Sequence, residues 1–131
     1  MRYSFDFTIP AATPETAKYT ADIILDVGII KQIEIRFKAG CHNRVFVAIF
    51  DSLEQIVPAK STKAIYGNHH IFKIPMDYDL DETPFKLIFK GWSPETRYDH
   101  TISIWVDLLP LGERKGKSLG ENIKHLLGEF I

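Results

Sequence analysis

The chain has 131 residues, with 16 Lys and Arg against 17 Asp and Glu for a net charge of −1. That length holds one domain with its own core and little more, and the balanced charge supplies no global field to gather phosphate backbones or anionic lipid, so neither nucleic acid nor a membrane is expected as a partner. A single cysteine excludes an intramolecular disulfide framework and Cys-only metal sites, while 45% hydrophobic and 12% aromatic residues suit a packed fold rich in strands.

The N-terminal "MRYSFDFTIP" lacks the apolar stretch of about 7–15 residues that a signal peptide needs. Nowhere do some 18 apolar residues run together, so a soluble protein made in a cytoplasm, or in something assembled there, is expected. Within "YSFDFTI" (3–9), Tyr3, Phe5, Phe7 and Ile9 alternate with Ser4, Asp6 and Thr8, the period-2 pattern of a half-buried strand that Pro10 ends. "KYTADIIL" (18–25) and "GIIKQIEIRF" (28–37) are the next two strands, and the tight "DVG" between them predicts a hairpin. In the second, Ile33, Ile35 and Phe37 share a dry face opposite Gln32, Glu34 and Arg36.

After "AGCHN" comes "RVFVAIFD" (44–51), apolar on both faces as a central covered strand should be. Cys41 and His42 stand just ahead of it. Adjacent side chains in extended chain point opposite ways, so this pair makes a poor nucleophile–base dyad, and it reads better as a turn whose cysteine tucks inward. "EQIVP" (54–58) follows a short turn at Asp51 and Ser52 and predicts a hairpin. "HHIFKIP" (69–75), "PFKLIFKGW" (84–92) and "HTISIWVDLL" (100–109) complete the strands, with Pro58, Pro75 and Pro84 at strand ends.

Two loops carry polar chemistry. "MDYDLDETP" (76–84) resembles the start of a calcium loop in its Asp77, Asp79 and Asp81, but Glu82 stands where the sharp turn needs Gly and Ile88 where a bidentate Glu is needed. A solvated acidic turn with Tyr78 and Leu80 tucked inward is the plainer reading. "KGWSPETRYDH" (90–100) gathers Trp92, Arg97, Tyr98, Asp99 and His100. Exposed Trp92 and Tyr98 would suit sugar rings, against a hairpin loop whose Trp92 packs down. No phosphate-cradling Gly-rich loop, nucleophile elbow or HExxH occurs, so no enzyme and no cofactor are expected.

About eight short strands with turn signals every eight to twelve residues predict an all-β antiparallel sandwich, jelly-roll-like, over residues 1–110. Residues 111–117 read as a linker, and 118–131 as a short amphipathic helix started by a capping box between Ser118 and Glu121. Ile123, Leu126, Leu127, Phe130 and Ile131 recur at spacings of three and four and form its apolar stripe. The basic "ERKGKS" before it is diluted by Glu113, Glu121 and Glu129, so the stripe is expected to dock on protein rather than on a membrane.

Across residues 9–110 the order of motifs resembles small β proteins encoded among the virion genes of tailed phages and related proviruses. The resemblance rests on "GIIKQIEIRFKAGC", where Gly28, Ile29, Ile30, Glu34, Phe37, Gly40 and Cys41 match, and on the run Tyr98, Asp99, His100, Thr101. Lys38 departs where that pattern has proline. The resemblance implies a non-enzymatic virion structural protein, a capsid-decorating or stabilising component assembled in the host cytoplasm. Its expected partners are a major capsid protein or another virion protein and further copies of itself, through Trp92, Tyr98 and the terminal stripe. The alternative is a carbohydrate- or calcium-dependent binding module, such as a host-attachment or tail component.

Overall fold

The structure, a computed structural model, describes residues 1–60 and 63–110. The expected linker, the helix and its stripe of Ile123, Leu126, Leu127, Phe130 and Ile131 lie outside the described residues.

Nine strands occupy the described chain: β1 (Arg2–Ile9), β2 (Tyr19–Ile24), β3 (Gly28–Phe37), β4 (Phe46–Asp51), β5 (Glu54–Val57), β6 (Ile65–Tyr66), β7 (His70–Leu80), β8 (Lys86–Trp92) and β9 (His100–Pro110). A single 3-10 turn, Glu15–Ala17, is the sole helical element among the described residues. The expectation of an all-β fold holds. Four strands form one antiparallel sheet in the order β1-β9-β3-β7, and five form the other in the order β2-β8-β4-β5, with the short β6 pairing β4 beside β5. The pairs nest. β1 lies on β9, β2 on β8, β3 on β7 and β4 on β5, as though one long hairpin had been folded over into two sheets.

The alternation read from the sequence sets which face is dry. Ile30, Ile33, Ile35, Phe37, Ile102, Ile104 and Val106 of the four-stranded sheet are fully buried, and so are Ile23, Val47, Ile49, Leu87 and Phe89 of the other. Both sets belong to one core cluster, so the sheets close on each other. Phe7 and Phe89 meet across the gap with ring centroids 4.7 Å apart. In β3 the spacing from Ile30 to Ile33 would break the period, and a bulge between Ile30 and Gln32 restores it, turning Lys31 out to pair with Asp77.

Two sequence expectations are corrected. β2 and β3 do not form a hairpin: they belong to opposite sheets, and the Asp26–Gly28 turn carries the chain across the sandwich while Leu25 N–H donates to the Phe85 carbonyl at 2.9 Å. The acidic stretch is no mere turn either. β7 runs on through Leu80, with Met76, Tyr78 and Leu80 facing inward and Asp77 and Asp79 exposed. Acidic residues are unusual in strands, but β7 is an edge strand, where charge deters further pairing.

Candidate functional site

The two outer faces of the sandwich differ. On the four-stranded sheet, Arg2, Asp6, Gln32, Glu34, Ser103 and Asp107 form a polar net around half-buried Trp105, whose ring Arg2 covers at 5.6 Å, and Ile71 of β7 is exposed on the same face. Arg2 pairs with Glu34 at 2.9 Å and with Asp107 at 3.5 Å, Gln32 donates to Glu34 at 3.0 Å, and the Ser103 hydroxyl donates to Asp6 at 2.6 Å. The outer face of the five-stranded sheet carries instead Ile24, Phe46, Ala48, Phe50, Ile88 and Trp92, because β4 and β8 keep apolar residues on both sides. Lysines lie along this face. Lys90 Nζ sits 4.3 Å from the Phe50 ring centre and Lys18 Nζ 4.7 Å from that of Trp92, covering the rings with their stems and ammonium groups.

At one end of this face three rings stand in series. Phe46 stacks on Trp92 at 5.9 Å and 20°, and Tyr66 of β6 lies 5.6 Å from Phe46. They line a surface cleft of about 550 Å³ whose other walls are Glu15, Asn43, Arg44, Lys63, Ala64, Pro94 and Glu95. Tyr66 is half exposed, at 52%.

The cleft sits at the end of the sandwich where β1, β3 and β8 finish and β2, β4, β7 and β9 begin, and hydrogen bonds tie the loops there together. Ala11 N–H donates to Asp99 at 2.8 Å, Ala12 N–H to Thr96 at 3.2 Å and Ser93 N–H to the Thr13 carbonyl at 2.9 Å. Asn68 Oδ1 accepts from both Gly40 and His42 N–H at 2.9 Å. The backbone is left-handed here at Ala12, Gly40, His42, Asn43 and His69. Non-glycine residues in that region cost roughly 1 kcal/mol each and persist where surrounding bonds fix them.

Trp92 and Tyr98, for which the sequence allowed either two exposed rings or a packed-down Trp92, differ in exposure. Trp92 closes β8 opposite Phe46 and is buried, 8% exposed, so the reading in which Trp92 packs down holds, and its expected place as an exposed contact is corrected to a supporting ring inside the cleft wall. Tyr98 is 76% exposed on the loop between β8 and β9. Tyr66, the accessible ring of the cleft, was not legible: "STKAIYGNHH" shows no period, and β6 is only two residues long.

Cys41 is buried with its sulfur 3.9 Å from His100 Nδ1, while its neighbour His42 points to solvent. Burial pushes the Cys41 thiol above its usual range, so it stays protonated at neutral pH and is a poor nucleophile. Among the described residues no three His, Cys, Asp or Glu side chains converge on a metal-sized site. Of the acidic stretch, Asp77 faces Lys31, and Tyr78 donates to Asp51 across the two sheets.

No protein-family model and no curated protein matches the chain. Among solved structures it is similar to a protein of the pili that form Bacillus endospore appendages, at 11% identity and a TM-score of 0.35 over 83% of this chain and 88% of that one. It is also similar to a chain in the structure of infectious bursal disease virus, Gt strain, at 11% identity and a TM-score of 0.28, covering 79% of this chain and 31% of that one. Likenesses this slight carry no argument about what the chain does.

Proposed function

We propose that this protein is a non-enzymatic structural component of a virion, one that decorates or stabilises a capsid by seating the outer face of its five-stranded sheet on a larger protein lattice. The apolar side chains on the outer face of the five-stranded sheet, Ile24, Phe46, Phe50 and Ile88, carry this reading. Exposed Ile24 with half-buried Phe46, Phe50 and Ile88 beside it gives an apolar patch rimmed by polar side chains, which marks a protein contact. Ile24, 58% exposed, lies on the same face as half-buried Ile88 and Phe50, and exposed Tyr98 extends from the loop between β8 and β9. A contact of about 800 Å² per partner with a few such anchors is enough for specific association without chemistry. We read the nested strand pairing as a jelly roll, an architecture shared by capsid and lectin domains, which supports the setting by analogy of fold only. Further copies of the chain are the second partner in this reading.

The test is incorporation into particles of the producing virus. The wild-type chain is expected to co-sediment with assembled particles, and the Ile24→Asp, Ile88→Asp double variant, folded by circular dichroism, is expected to remain in the soluble fraction. A variant that sediments with particles as the wild type does, or a wild-type chain absent from them, overturns the reading.

A further inference from the structure

We propose that the cleft at Tyr66 is a binding site for a neutral saccharide, separate from association through Ile24 and Ile88 at the other end of the sheet. A pyranose ring has an apolar face of C–H groups and a rim of hydroxyls that each donate and accept. Its site therefore needs a flat aromatic surface beside mixed donors and acceptors.

The cleft supplies the surface first. Tyr66 is half exposed, and behind it the series Phe46, Trp92 and Lys18 holds each ring against the next, so the platform is fixed before any ligand arrives. Around it, Arg44 and Lys63 offer donors, Glu15 and Glu95 offer acceptors, and the Asn43 amide offers both. The two cations and two carboxylates cancel, so the lining selects neither phosphates nor polycations and favours a polar, uncharged ligand. Among the described residues none of these five side chains is engaged in a hydrogen bond or ion pair.

Preorganisation is the second support. Asn43 stands in a left-handed backbone at φ 59°, with its N–H donating to the Gly67 carbonyl at 3.3 Å, and Arg44 N–H donates to the Cys41 carbonyl at 2.9 Å. That bonding holds in place the segment that carries both rim residues. The volume of about 550 Å³ falls within the range of roughly 300–1,000 Å³ typical of small-ligand clefts.

The experiment applies the full-length chain to an array of immobilised neutral, acetamido and sialylated glycans, then titrates a soluble form of the best neutral glycan while following tryptophan fluorescence. Neutral or acetamido glycans are expected to bind, Tyr66→Ala to weaken binding about tenfold, the equivalent of one lost ring contact, and Tyr66→Phe to retain it. Glu95→Gln, an exposed change that leaves the platform intact, is expected to weaken it as well. The Ile24→Asp, Ile88→Asp variant is expected to bind glycan normally, so that loss of association and loss of sugar binding are read separately. Absence of any neutral glycan above background, a preference for sialylated ones, or unchanged binding in both Tyr66→Ala and Glu95→Gln overturns the proposal.

Discussion

Tyr78 shows how one side chain can couple the two sheets and leave a mark on stability. It stands on β7, packs partly against the core, and donates its hydroxyl to Asp51 at the end of β4 in the opposite sheet. Burial first, and then the hydrogen bond to that carboxylate, push its phenol well above the ordinary value near 10. The native state therefore keeps the proton at a pH where the unfolded chain releases it. The bond stabilises fully below about pH 10 and its contribution is lost as pH rises from there towards the folded value. Tyr78→Phe should cost about 1 kcal/mol at neutral pH, and urea unfolding of the two proteins should show that difference shrinking above about pH 10. Cys41 and Tyr3, also raised, titrate in both proteins and cancel from the comparison. A difference that stays constant with pH would show that Tyr78 does not carry the effect.

Strands were legible where a single strand's own pattern decides them. β3 runs over the residues its alternation predicts, Gly28 to Phe37, and β1 differs by one residue from the predicted stretch. The "DVG" turn misled because its chemistry serves a hairpin and a sheet-to-sheet crossing equally well, and only the docking of β2 on β8 separates them. That Trp92 packs down was one of the two readings its loop allowed, but its stacking on Phe46 and the place of Tyr66 were illegible for the same reason, since which ring ends up under another depends on register between strands β4, β6 and β8. Glycines show this dependence in energetic form. A Cβ on Gly28 would lie 2.4 Å from the Leu109 carbonyl oxygen of the β9 ladder, and one on Gly91 would lie 2.4 Å from the terminal Cδ1 of Ile9. A side-chain methyl can turn aside at modest cost, but a backbone carbonyl fixed between strands cannot. Gly28→Ala should therefore destabilise by more than Gly91→Ala, with both in the overpacking range of about 1–3 kcal/mol. Urea denaturation of the two variants checks the order, and the reverse order would mean that the end of β9 yields more readily than the core around Ile9.

The nested pairing makes the two ends of the whole molecule unequal. β1 pairs with β9 along its full length, from Arg2 opposite Asp107 to Ile9 opposite His100, and brings fully buried Ile9 and half-buried Phe5 and Phe7 to the core. Phe7 then meets Phe89 of the other sheet. At the other end, among the described residues, every residue of the buried core cluster lies from Ile9 to Leu108. A chain ending at Pro110 thus keeps all of that core, whereas one beginning at Pro10 loses an edge strand and the four core-facing side chains of Tyr3, Phe5, Phe7 and Ile9, of which a fully buried apolar one is worth about 1.5–3 kcal/mol. Set against a total stability of roughly 5–15 kcal/mol for a domain, that second loss is decisive. Differential scanning calorimetry and near-ultraviolet circular dichroism should find the 1–110 chain unfolding cooperatively close to the full-length midpoint, and the 10–131 chain without a cooperative transition. If instead the 1–110 chain loses its cooperative transition, residues beyond Pro110 contribute to the core, and the sandwich defined by β1 to β9 is not the folding unit. With the transition retained, the same truncated chain separates the roles of the two surfaces: sheet-face association and glycan binding at Tyr66 should survive in it, because Ile24, Ile88, Tyr66 and the residues around them all belong to the part that remains.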